Sequence, residues 1–187
     1  MLRHVLLAAA AAAILAACSE SSARLPAPQE GVQRPSVQTP PATPPEQVRI
    51  DAANRRDVLA NISDQLDQIG ANFASGWAAP QGFEDRTTAL QPATDHVWRI
   101  NLNANTDYRL IGACDADCSN VDIELIDSRG GVVAHDMLDD DFPVVEYRPA
   151  ENGTYYARLL MQSCTRAPCY AGLRLLTPPA SAAPGPK

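Results

Sequence analysis

The stretch TDYRLIGACDADCSNVDIELIDSRGGVVAHD, residues 106–136, decides the fold class of this chain. At its centre Val121, Ile123 and Leu125 alternate with Asp122 and Glu124, the period of an extended strand with one apolar and one acidic face. Asp115-Ala-Asp117 before that run and Ser128-Arg-Gly-Gly131 after it are turn signals. The same period recurs outward in both directions. Trp98, Ile100 and Leu102 alternate with Arg99 and Asn101, while Tyr155, Ala157, Leu159 and Met161 alternate with Tyr156 and Arg158. Further turn signals stand at Asn105-Thr-Asp107, Asp139-Asp-Asp141 and Glu151-Asn-Gly153. Strands are predicted near 84–90, 95–103, 107–113, 120–127, 131–137, 143–148, 154–163 and 170–176. With no helical pattern between them, these short strands predict a mainly β chain, an antiparallel sandwich or small barrel and not a βαβ sheet.

One helix precedes the strands. Leu59, Ile62, Leu66, Ile69 and Phe73 are spaced 3, 4, 3 and 4, a single apolar stripe, with Arg56, Asp57, Asp64 and Asp67 off it. Gly70 marks a loosening of the last turn. The ends look different. Of the 16 prolines, seven lie in SESSARLPAPQEGVQRPSVQTPPATPPEQ, residues 19–47, and four in residues 177–187. Such runs favour extended polyproline conformations over packing, so residues 18–47 are expected to be a disordered tether and 177–187 a disordered tail. Residues 48–79 then carry the helix and its connection, and 80–176 the β domain.

The first 17 residues have the form of a signal peptide. Arg3 supplies the positive charge, Val5 to Leu15 an apolar run short of the roughly 20 residues a membrane-spanning helix needs, and small residues follow. The close, Leu15-Ala16-Ala17-Cys18, looks like a bacterial lipobox. That resemblance implies cleavage before Cys18 and acylation of its thiol and of the new amino terminus, and Ser19 after it favours the outer membrane. Charge points away from nucleic acid: 15 Lys+Arg against 22 Asp+Glu give -7 overall.

The run 106–136, followed by VVEYRPAENGTYYARLLM (residues 144–161), resembles the bacterial pre-peptidase C-terminal domain. Asp122-Ile-Glu124-Leu-Ile-Asp127 and Gly153-Thr-Tyr-Tyr-Ala-Arg158 match its Asp-x-Glu-Leu strand and its Gly-Thr-Tyr strand, over roughly residues 82–176. The resemblance implies a jelly-roll-like β-sandwich that serves as a non-catalytic accessory or binding module. No protease is attached here, and paired cysteines are not a general feature of that family.

Those cysteines are Cys114, Cys118, Cys164 and Cys169, an even number once Cys18 is set aside, in a compartment that permits disulfides. Two local bridges, Cys114 with Cys118 and Cys164 with Cys169, are favoured. Cross-pairing between the two loops and a four-thiolate zinc site stay open, because the spacings forbid neither.

Between Asp115 and Asp141 there are nine acids and one base, Arg129. Oxygen-rich loops of this kind are what Ca²⁺ takes, and Asp115, Asp117 and Asp122 are candidate ligands. The competing expectation is a solvated edge, with the acids of strand 120–127 facing water. A contact surface for a cationic protein is the third. Catalytic signals are lacking: His96 and His135 are the only histidines beyond the signal, and no Gly-x-Ser-x-Gly, His-Glu-x-x-His or glycine-rich phosphate loop occurs. Trp77, Trp98 and Tyr155 read as core or rim aromatics. The expectation is therefore a non-catalytic envelope lipoprotein that binds or scaffolds. Its alternative is an acidic, inhibitor-like module that captures a cationic protein or hydrolase, and a hydrolase itself is the remotest reading.

Overall fold

A computed structural model describes residues 21–179. The elements in chain order are β1 (Glu46–Gln47), α1 (Ala52–Phe73), β2 (Arg86–Leu90), β3 (Thr94–Leu102), β4 (Tyr108–Cys114), β5 (Cys118–Ile126), β6 (Val132–Asp136), β7 (Val144–Tyr147), β8 (Gly153–Cys164), β9 (Arg166–Ala167) and β10 (Cys169–Leu176). Strand makes up 41% of the structure and helix 14%. Two four-stranded antiparallel sheets, ordered β2-β10-β4-β7 and β3-β8-β5-β6, pack face to face as a sandwich. The eight long strands lie where the period of two places them, and the barrel alternative is not realised.

Alternation explains the core. Val121, Ile123 and Leu125 of β5 and Tyr155, Ala157, Leu159 and Met161 of β8 meet Leu110 of β4 and Leu173 and Leu175 of β10 between the sheets. The opposite face of the first sheet receives α1. Ile62, Leu66 and Ile69 bury against Ile111, Ala113 and Leu176. Gly172 makes this approach close, since a Cβ there would lie 2.6 Å from Ile62 Cγ2 and 3.2 Å from Leu66 Cδ1. Asp51 caps the helix by accepting from the Ala53 and Asn54 N–H groups at 2.9 and 2.8 Å. The buried stripe is narrower than predicted, for Phe73 is 43% exposed and Leu59 half-buried. Among the described residues no helix is long and apolar enough to cross a membrane.

The proline-rich run departs from expectation. Residues 21–47 are not a free tether but a strap laid over the outer face of the β3-β8-β5-β6 sheet. Ala23 N–H donates to the Val97 carbonyl at 2.8 Å, Gln29 N–H to that of Arg129 at 3.0 Å, and Val132 N–H to that of Gln33 at 2.8 Å. Ser36 is held at both backbone polar groups: its N–H donates to Glu124 Oε1 at 2.9 Å, and its carbonyl accepts from Arg158 Nη1 at 2.9 Å. The strap ends as β1, a short parallel pairing with β9. Gly130 and Gly131 let it pass, because a Cβ on either would come within 2.8 Å of strap atoms. The physical reason is apolar surface: Val97, Ile126, Val132 and Leu160 are buried outside both inner clusters. Left bare, that face would expose them to water.

The other end also extends the fold. Thr177, assigned to the tail, exchanges backbone hydrogen bonds with Ala78 at 3.0 and 2.9 Å, and its hydroxyl donates to the Asp107 carbonyl. Residues 180–187 lie outside the described residues.

Candidate functional site

The nine acids between Asp115 and Asp141 do not form one face. The structure divides them among the disulfide turn, the surface beneath the strap, the β5–β6 turn and the β6–β7 loop.

At the turn, Cys114 bonds to Cys118 and Cys164 to Cys169, each pair with Cα atoms 6.0 Å apart. The two local bridges consume all four thiols, so neither cross-pairing nor a zinc site forms. Cys118 and Cys164 are register partners on β5 and β8, which sets the bridges side by side. Asp115 is buried there, accepting from Tyr170 N–H at 2.7 Å and from Asp117 N–H at 3.3 Å. Burial pushes its carboxyl above the usual range in spite of those bonds. Asp117 faces Arg166, 3.7 Å away. Asp127 shapes the β5–β6 turn by accepting from the Arg129 and Gly131 N–H groups. Burial opposes its ionisation, yet these donors and the Arg129 guanidinium hold its carboxyl below the usual range.

Asp122 and Glu124 correct the solvated-edge expectation. They point outward from β5, as alternation demands, but are only 2% and 3% exposed, and the strap reaches Glu124 through the Ser36 N–H. Glu124 receives Arg158 Nη1 at 2.9 Å, and Arg158 also bridges to Asp95. Asp122 has no cation. Its Oδ2 accepts from Gln162 Nε2 at 2.6 Å, and its buried Oδ1 has no partner among the described residues. Burial, then the nearby carboxylates of Asp136, Glu124 and Asp140, push its pKa up to about 6. The calcium set of Asp115, Asp117 and Asp122 is not assembled. Two of them sit in the disulfide turn with their carboxylates engaged, the third stands farther along β5 and accepts from Gln162, and no cluster of His, Cys, Asp or Glu suited to a metal occurs among the described residues.

The Asp122 proton has a measurable consequence. The folded chain holds it with a pKa of about 6 against 3.8 when unfolded, so between those values the native state binds the extra proton. Stability from this group therefore falls as pH rises through that window and is gone above about pH 6. Asp122→Asn should raise stability at pH 7.5 by up to about 3 kcal/mol and flatten the decline between pH 4 and 6, read by urea unfolding across pH.

The remaining acids surround apolar surface. Asp136 Oδ2 accepts from Val144 N–H at 2.8 Å, Asp139 Oδ1 from Asn120 Nδ2 at 2.8 Å, and Asp140 Oδ1 from Phe142 N–H at 3.2 Å, while the Asp140 carbonyl accepts from Val121 N–H. These bonds give the β6–β7 loop one shape, with Met137, Leu138 and Phe142 projecting at 38%, 65% and 42% exposure. Phe142 stacks on Phe73 of α1, ring centroids 6.4 Å apart. Beside the pair runs a groove of about 360 Å³, lined by Gln65, Gln68, Asn72 and Asp141 with the two rings. Of the five large apolar side chains exposed among the described residues, Phe73 and Phe142 form this ring pair and Met137 and Leu138 stand on the same β6–β7 loop as Phe142. No Lys or Arg occurs from residue 130 to 147. Sequence reasoning missed Phe73, Met137, Leu138 and Phe142, although Met-Leu ahead of three aspartates and Phe after them was a visible signal.

The aromatic expectation stands. Trp98 and Tyr155 are buried, and Trp77 is half-buried under the Arg109 guanidinium, 4.8 Å from its ring centre. His96 packs on Trp98, and His135 is exposed on β6.

No family model and no curated protein matches the chain. The β-sandwich is the class of protein that the fold defines.

Proposed function

We propose that this chain is a bacterial envelope lipoprotein, acylated at Cys18, whose sandwich is a non-catalytic module that docks a cationic partner protein through the Phe73–Phe142 patch. Cys18 lies outside the described residues; its acylation is supported by the Leu15-Ala16-Ala17-Cys18 motif. The observation that carries the docking role is the exposed Phe73–Phe142 pair with its groove reaching Asp141, on a loop that also exposes Met137 and Leu138 and carries Asp139 and Asp140. Exposed apolar groups cost solubility unless a partner covers them, and the acids select a basic one while raising its encounter rate. Outer-membrane attachment, with the domain facing the periplasm or the cell surface, is supported by Ser19 as far as the choice of membrane goes, again by resemblance.

A photo-crosslinking residue at Leu138 should yield a specific adduct with one envelope protein in the producing cell, whereas one at Glu151 should not. Phe142→Ser should weaken that complex about tenfold or more, as loss of an apolar anchor does, and salt should weaken it further. Adducts of equal yield from both positions would sink the reading. Should the partner prove to be a basic hydrolase that loses activity on capture, the inhibitor-like alternative becomes the specific form of this function. Cys18→Ser should release the protein from the membrane fraction, measured by fractionation and intact mass.

A further inference from the structure

We infer that a cleft around Arg24 and Arg99 is the bilayer-facing surface of the domain, seated on the phosphate headgroups of the membrane that holds the Cys18 acyl chains. This rests on the acylation of Cys18 proposed above. Only Ser19 and Glu20 separate Cys18 from Ser21. At no more than about 3.6 Å per residue, the Cα of Cys18 lies within about 11 Å of that of Ser21. The chain is then fastened at once: Ser22 Oγ accepts from Val97 N–H at 3.0 Å, and Ala23 N–H donates to the Val97 carbonyl at 2.8 Å. Acyl chains on Cys18 lie in the hydrocarbon, so the start of the strap on β3 is held near headgroup depth.

The side chains around that point suit phosphate. A cleft of about 490 Å³ is lined by Ser21, Ala23, Arg24, Arg99 and Tyr156, with the buried Val97 and Trp98 behind them. Arg24 and Arg99 are exposed, and neither has an ion-pair partner among the described residues; the same holds for Arg34, Arg49, Arg55 and Arg56, but Arg24 and Arg99 are the ones that line this cleft beside the start of the strap. Asp95, the acid on the same face of β3, is engaged by Arg158. A guanidinium presents paired donors that match two phosphate oxygens, and a tyrosine suits the wet side of an interface. In a chain of net charge -7, two uncommitted arginines beside the anchor are the charge a headgroup layer requires. Strand order adds direction. β3 and β6 are the opposite edges of their sheet, so the β6–β7 loop with its aspartates stands away from the β3 edge and from anionic lipid.

The test uses the protein purified from membranes, its acylation established by intact mass, in vesicles of phosphatidylcholine with and without phosphatidylglycerol. A fluorophore is carried at Asn101 or at Leu138, and some lipid bears a headgroup nitroxide quencher. Quenching at Asn101 should exceed that at Leu138 several-fold and should rise with phosphatidylglycerol. Arg24→Gln with Arg99→Gln should bring the Asn101 signal down toward that of Leu138 while the melting temperature and membrane retention hold. Equal quenching at the two positions in an acylated protein, or indifference to the double substitution, overturns the orientation and leaves the lipoprotein reading intact. An unacylated Cys18 overturns both.

Discussion

Arg158→Met should lower the unfolding free energy by about 3–5 kcal/mol. Arg158 is 8% exposed and its partner Glu124 3%, so the substitution strands a carboxylate that water cannot reach. Asp95 and the Ser36 carbonyl lose their donor in the same step. Against a total stability of about 5–15 kcal/mol this loss is severe. Urea unfolding at pH 7 measures it, and the double variant Glu124→Gln with Arg158→Met supplies the control. Removing both charges leaves neither member of this pair stranded, so the double variant should be clearly more stable than Arg158→Met alone. Proteolysis separates the strap from the sheets: cleavage within residues 24–36 should quicken in Arg158→Met before the sandwich itself is cut, because Ser36 is then held only through its N–H bond to Glu124. A cost below about 1 kcal/mol, or a double variant no better than the single one, would show that the ion pair does not fasten the strap.

Leu66→Ala should cost about 2–5 kcal/mol, the range for a fully buried leucine whose site cannot collapse. Leu66 is 0% exposed, and sits between the helix and a sheet face where Gly172 leaves no side chain to move in. Gly172→Ala approaches the same contact from the sheet. Its new Cβ meets Ile62 Cγ2 at 2.6 Å, a branch near the helix backbone and not a flexible tip, so the helix has to shift, at about 1–3 kcal/mol. Pairing Gly172→Ala with Ile62→Ala removes the obstructing methyl, and the two costs should then add to less than their sum. Thermal melting of the four proteins decides it; strict additivity would mean that the helix does not pack at this distance.

The strands were legible because their inward residues alternate. Strand β5 shows the limit of that reasoning. Val121, Ile123 and Leu125 were correctly placed inward, and Asp122 and Glu124 correctly outward, but outward was read as wet. The missed signal was the apolar runs Leu125-Ile126 and Leu159-Leu160-Met161, which break the alternation and indicate a strand covered on both faces. What covers them was not legible, since proline composition reports an extended backbone and not whether it has a surface to lie on. The acidic stretch is opaque in sequence for a related reason. Nearness in sequence groups Asp115 with Asp122, whereas a strand carries one away from the other and alternation sends successive residues to opposite faces. The docking patch needed the fold, for Phe73 and Phe142 are brought together only when α1 settles on the first sheet.

Opposed placement of Cys118 and Cys164 bears on how the chain matures. On neighbouring antiparallel strands, directly facing residues have Cα atoms about 4.5–5.5 Å apart, a spacing that a disulfide also accepts. As β5 and β8 zip during oxidative folding, a thiolate on one finds the other as near as its native partner. A chain trapped with Cys118 joined to Cys164 has the right strands paired and the wrong sulfurs bonded, and thiol exchange must reshuffle it before both hairpin ends can close. Native yield should therefore follow the supply of disulfide isomerase more than the supply of oxidant.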